Sequence, residues 1–161
     1  MGSLKRQLPP PFNSPIELGI RMVFLLQYLR PHAVDLQKLI MLDYALVYSA
    51  DLNGPDSLHT PVPHRGNEMY TRRDLVQRGL HLMSTKGLVN AEFSHEGIVY
   101  TSGDRARSVV QGLSAPYFCS LRVRAQWAVL QFGDWESERL TQYFARRGAR
   151  WGAEIEFLSR G

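Results

Sequence analysis

The sequence predicts a mostly α-helical, winged-helix-like core with one β-hairpin and flanking N- and C-terminal helices. Three observations predict it. Gly87 stands where a long helical segment ends, and glycine suits the position just past a helix C-terminus. Residues 88–93 and 98–102 then read as two strands joined by Ser94-His95-Glu96-Gly97. Tyr100-Thr101-Ser102-Gly103 leads at once into another helical segment. Helix, short hairpin, helix is the order of a winged helix, the hairpin being the wing. The loop length sets the register, with Phe93 opposite Ile98 and Ala91 opposite Tyr100. Strand side chains alternate, so Val89, Ala91, Phe93, Ile98 and Tyr100 share one face.

The other elements follow in chain order. Residues 1–12 are polar and proline-rich and are expected to form a flexible segment, with residues 13–161 forming a single winged-helix-like domain that ends in a C-terminal helical extension. Ser14-Pro15-Ile16-Glu17 is a capping box: Ser14 at the N-cap, proline at the first helical position, Glu17 at the third. Leu18, Met22, Leu25 and Leu29 follow at helical spacing, and Ile16, Ile20 and Phe24 add a second stripe, so this helix is buried on most sides. Pro31 stops it.

A second helix starts near Asp35, with Leu36, Leu39, Ile40, Leu42, Leu46 and Val47 inward. Asp43 is the oddest residue of this apolar helix, either a buried hydrogen-bonded acid or a partner contact. Residues 51–55 end the helix, and a loop running to about Arg65 holds Asn53-Gly54-Pro55, Pro61 and Pro63. Loops this long inside a compact domain tend to be functional. A third helix spans about 67–86, with Met69, Val76, Leu80 and Met83 inward and a break allowed near Thr71. Beyond the wing come helices over 104–113 and 114–132, the latter with Phe118, Leu121, Ala125, Ala128 and Phe132 on one face. Gly133 ends that helix and Asp134 caps the last, which carries Leu140, Tyr143 and Phe144.

Length and composition bound the function. At 161 residues the chain buries roughly 70% of its unfolded surface. Its 44% hydrophobic and 21% charged residues are ordinary for a soluble globular protein. One cysteine, Cys119, excludes an intrachain disulfide, a cysteine-based zinc fold and a CxxC redox site. No signal-peptide core follows the N-terminus, and the most apolar run, 22–29, is too short to span a bilayer, so a cytoplasmic location is expected, with no membrane partner.

A mildly basic balance of +4 and a winged helix together raise the question of DNA. A DNA-reading helix presents Arg, Lys, Asn or Gln outward. Here the outward positions are Thr71, Asp74, Arg78, His81 and Thr85, and the wing tip holds an acid and no lysine or arginine. Arg72 and Arg73 at the start of the helix partly offset this. Residues 1–64 hold five basic and five acidic residues, 65–103 five and four, and 104–161 nine and six. The excess therefore lies beyond the wing. Arg139, Arg146 and Arg150 share one helical face with Arg147 beside them, either a solvated face or a patch for nucleic acid or an acidic partner. Arg122 and Arg124 read as rim residues.

Motifs for catalysis are missing. There is no Gly-x-Ser-x-Gly, phosphate loop or His-Glu-x-x-His. Asp56, His59 and His64 do not have an established metal spacing. Cys119, beside Phe118 on an apolar helix, reads as a small buried thiol. The expectation is a non-enzyme with no cofactor. A hydrolase built on His59 and His64 is the weakest reading, and a winged-helix transcriptional regulator is a stronger one.

Several stretches resemble one family. They are Pro11-Phe12-Asn13-Ser14-Pro15-Ile16-Glu17-Leu18-Gly19; Asp35-Leu36-Gln37-Lys38-Leu39; and the loop residues Ser49-Ala50-Asp51 and Gly54-Pro55-Asp56-Ser57-Leu58-His59, closed by Pro61, His64 and Arg65. Arg73-Asp74-Leu75-Val76-Gln77-Arg78-Gly79-Leu80, Lys86-Gly87-Leu88-Val89, Ser114-Ala115-Pro116-Tyr117 and Phe132-Gly133-Asp134 continue the pattern. Over residues 11–145 the chain resembles the middle component of bacterial ABC three-component conflict systems, the group to which Lamassu-type anti-phage systems belong. The arginine-rich end after Phe144 does not match the pattern. The resemblance implies a non-catalytic adaptor between an SMC- or Rad50-like ABC ATPase and an effector, a nuclease or protease. The adaptor helps couple recognition of foreign DNA to effector release, with DNA contact at most auxiliary. The loop, through Asp51, Gly54, Pro55, Ser57, Leu58, His59, His64 and Arg65, is the expected partner interface.

Overall fold

A computed structural model of the chain describes residues 14–58, 65–95 and 97–147. Among them the elements run α1 (Pro15–Leu29), β1 (Val34–Asp35), α2 (Leu36–Val47), a 3-10 turn (Ser49–Leu52), α3 (Arg65–Thr85), β2 (Val89–Ser94), β3 (Gly97–Ser102), α4 (Ala106–Gly112), α5 (Pro116–Phe132) and α6 (Ser137–Arg147). The protein is mostly helical with a small three-stranded antiparallel sheet in the order β1-β3-β2. This is the winged-helix-like arrangement that the hairpin predicts, with α2 and α3 packed against α1 and the wing behind α3. The register also follows the loop length, Phe93 facing Ile98 and Ala91 facing Tyr100. The expected flexible segment, 1–12, lies outside the described residues.

Helix α1 is the axis of the core. Ser14 Oγ accepts from the Glu17 N–H at 3.2 Å and Pro15 occupies the first helical position, as the capping box requires. Leu18, Met22, Val23, Phe24, Leu25, Leu26 and Leu29 are all buried, because α1 is enclosed by α3, α5, α4, α2 and β3. Ile16 departs from the expected stripe and stays exposed at the open end of the helix. The α1–α3 crossing depends on two glycines. A Cβ on Gly79 would lie 2.6 Å from the Gly19 nitrogen and 2.8 Å from the Pro15 carbonyl, so the two backbones touch where only hydrogen fits.

Differences from the expected boundaries have local causes. Helix α2 stops at Val47, and the next residues tighten into the 3-10 turn, closed by Asn53 at φ 61°. Helix α3 runs unbroken through Thr71. Asp134 does not cap α6, which starts at Ser137. Gly87, at φ 73°, ends α3 as expected.

The C-terminal helix is fastened to α2. Asp35 caps α2 by accepting from the Lys38 N–H at 2.8 Å, and the same carboxylate accepts from Ser137 Oγ at 2.8 and 3.0 Å. Lys38 Nζ donates to the carbonyl of Gly133 at 2.6 Å, capping the C-terminus of α5. Gln37 Nε2 donates to Thr141 Oγ1 at 2.9 Å. Leu140 and Phe144 then complete a single apolar cluster that begins at Leu18.

The glycine crossing gives a direct test. Gly79→Ala is expected to lower unfolding stability by about 2–3 kcal/mol, because a methyl must push two backbones apart. Gly112→Ala, in open space at the end of α4, is expected to be neutral or to stabilise by less than about 1 kcal/mol. Urea unfolding of both variants checks this, and equal effects would contradict the close crossing.

Candidate functional site

Three charged side chains meet where α1, α2 and α3 converge. The Arg21 guanidinium donates through Nε to Asp43 Oδ1 at 2.7 Å and through Nη2 to Oδ2 at 3.0 Å. Arg72 Nη1 donates to Oδ2 at 2.8 Å. Their side chains are at most 3% exposed. The Arg72 guanidinium also lies 5.0 Å from the Tyr44 ring centroid and 5.7 Å from that of Tyr48. Glu17 stands at the edge, with Oε1 3.9 Å from Arg21 Nη1. Burial raises the Glu17 carboxyl above its usual pKa, with Arg21 opposing and Asp43 adding to the shift.

Asp43 is thus a buried, hydrogen-bonded acid rather than a partner contact. Arg72 is corrected with it. At 3% exposure its charge is committed to Asp43 and it offers no surface to nucleic acid. Its neighbour Arg73 is half-buried, and Arg78 is exposed but paired with Asp74 at 3.1 Å, one helical turn away. From residue 72 on, the outward face of α3 is otherwise Gln77, His81 and Thr85, with Lys86 exposed just past its end.

The loop motif is built inward as well as outward. Ser49 Oγ donates to the carbonyl of Pro55 at 2.9 Å, Ser57 Oγ accepts from the Ala50 N–H at 3.2 Å, and the Leu58 N–H donates to Val47 O at 2.9 Å. Gly54 lies flat on the Trp127 indole, where any side chain would collide with the ring. Arg124 Nε reaches across to the Asp56 carbonyl at 2.7 Å. Leu58 packs half-buried on the core, and Asp51 and Pro55 are half-buried beside it. Gly54, Ser57 and Leu58 therefore shape the loop, and Asp51 and Pro55 share its surface. His59 and His64 lie outside the described residues, as does the side chain of Arg65.

The C-terminal arginines divide. Arg139 is exposed, its guanidinium 3.8 Å from the Trp135 ring centroid. Arg146 is exposed on α6. The Arg147 side chain and Arg150 lie outside the described residues. Arg122 is no simple rim residue: its Nη2 donates to the carbonyls of Val110 and Leu113 at 2.6 and 3.0 Å and so closes the end of α4. Cys119 is exposed, contrary to expectation. One residue beyond Phe118 is a rotation of about 100°, which takes the thiol off the buried face.

The wing is the other open surface. Val89 is buried, but Phe93 is 91% exposed and its cross-strand partner Ile98 is 44% exposed. From residue 89 to 102 the chain holds no lysine or arginine.

Comparison with known families decides the relationship. Residues 11–154 match the model of ABC-three component (ABC-3C) system Middle Component 2. The chain belongs to this family. No curated protein and no solved structure matches it. As a Middle Component 2, the chain is one part of a three-component defence system and has other components as partners. Among the described residues, no helix is long and apolar enough to cross a membrane, and no group of His, Cys, Asp and Glu is placed to hold a metal.

The signal for the buried network is present in the chain: charges of opposite sign, Arg21 and Asp43, each set among apolar neighbours of a largely apolar helix. Asp43→Asn keeps the shape and removes the charge that two buried guanidinium groups share. It is expected to cost about 3–5 kcal/mol in urea unfolding. A triple change, Arg21→Met with Asp43→Leu and Arg72→Met, is expected to recover most of that loss. A tolerated Asp43→Asn would contradict a charged, buried triad.

Proposed function

We propose that this Middle Component 2 is a non-catalytic adaptor that binds an SMC- or Rad50-like ABC ATPase and holds an effector, a nuclease or protease, under its control. In this reading the assembly is of the Lamassu type and works in the cytoplasm, and foreign DNA triggers effector release through the ATPase. Direct DNA contact by the adaptor is auxiliary.

The observation that carries the reading is what the winged helix exposes. Phosphate contacts dominate DNA affinity. The helix that would enter a groove buries Arg72 and pairs Arg78 with Asp74, and the wing offers Phe93 and Ile98 in place of cations. The exposed apolar pair Phe93 and Ile98 suits a protein surface, where aromatic residues anchor interfaces. The alternative, a DNA-binding transcriptional regulator, needs the same surfaces to be basic.

Two measurements on the full chain separate the readings. Size-exclusion chromatography with the ATPase component of its own system is expected to give a stable complex. Mobility shifts on short duplex DNA are expected to show only weak, sequence-independent retention, with Kd on the order of micromolar or weaker at physiological salt. Nanomolar, sequence-dependent binding that is lost in Arg73→Glu with Arg78→Glu would overturn the adaptor reading in favour of the regulator.

A further inference from the structure

Helix α5 turns one face to the core and the opposite face to solvent. Leu121, Ala125, Ala128 and Phe132 are buried, and the helix packs on α1 and α2. At about 100° per residue, Cys119, Val123, Gln126 and Leu130 fall on the far side. All four are exposed, Val123 by 53% and Leu130 by 82%. Their spacing alternates four, three and four residues, which is the seam of a heptad. A stripe with this spacing receives another helix, and a single polar residue within it, here Gln126, fixes register.

Charge chooses the kind of helix. From residue 105 to 132, covering α4 and α5, the chain holds Arg105, Arg107, Arg122 and Arg124 and no aspartate or glutamate. The remaining residues hold equal numbers of acids and bases, so this segment carries the whole net charge of +4. A second copy of the chain would bring like charges together. Phosphate is a poor fit, because the stripe itself is apolar and Arg122 and Arg124 donate to the backbone carbonyls of Val110, Leu113, Asp56 and Ser120.

We propose that the outer face of α5 docks an amphipathic helix of another component of the system, one whose apolar heptad seam is flanked by acidic residues. The inference rests on the adaptor reading and names the surface and the partner chemistry that reading leaves open.

The test uses the full chain, the two other components of its system purified separately, and duplex DNA. Val123→Glu with Leu130→Glu changes only exposed positions, and urea unfolding checks that the variant remains folded. Titration calorimetry is expected to show one component binding the wild-type chain and losing about 30-fold or more in affinity to the variant. Added salt is expected to weaken the same complex. Cys119, as the sole cysteine, reports directly: its maleimide labelling is expected to slow sharply in the complex. Unchanged affinity and unchanged labelling would overturn the surface while leaving the adaptor reading intact. Binding of neither component would overturn both. Loss of self-association, or of duplex DNA binding, in the variant without loss of component binding would also overturn the proposal.

Discussion

One carboxylate organises the molecule. Asp43 sits on α2 between Arg21 of α1 and Arg72 of α3, and all three side chains are removed from water. Burying such charges is expensive, and their mutual hydrogen bonds offset the cost only when the geometry is held. The geometry is held because α1 and α3 cross in contact at Gly19 and Gly79. The contact draws α3 close enough for Arg72 to reach inward past Tyr44 and Tyr48. Helix position, charge burial and surface character are therefore linked. The arginine that would have marked the leading edge of a DNA-reading helix is instead used in tying three helices together.

The consequence for function is a redistribution of surface chemistry. The winged-helix-like core turns outward a nearly neutral α3 face and, on the wing, the apolar pair Phe93 and Ile98. The cationic character moves to α4 and α5, which also pack on α1, and to Arg139 and Arg146 on α6. Helix α6 keeps its place because Asp35, Gln37 and Lys38 at the start of α2 each bind it or the turn before it. The same α2 residues that begin the core thus fix the orientation of the basic end. Such a distribution gives this Middle Component 2 separate faces of different chemistry, on which the proposed adaptor role draws.

Much of this was legible in the chain. The capping box at Ser14, the glycine at the end of α3, the hairpin register and, Ile16 apart, the apolar stripes of α1 and α5 follow from local rules that tertiary packing does not override. The family resemblance rests in part on Gly54-Pro55-Asp56-Ser57-Leu58, a stretch held by inward hydrogen bonds and by the contact of Gly54 with Trp127. What was not legible depended on distance in sequence. Asp43 stood out, but nothing local links it to Arg72, 29 residues away. Arg122 looked like a rim residue because its acceptors are the carbonyls ending α4, which only the fold brings near. Cys119 is exposed although Phe118 beside it faces the core, because helical periodicity and not adjacency governs burial.

The central claim is that this winged-helix-like chain meets proteins rather than reading DNA. Hydrogen exchange on the assembled three-component complex, with and without duplex DNA, tests it most directly. Assembly is predicted to slow exchange in the wing and in α4 and α5, and DNA added afterwards is predicted to leave α3 between Asp74 and Thr85 unchanged. New protection in α3 on adding DNA, with the wing and α5 unaffected by assembly, would contradict the account.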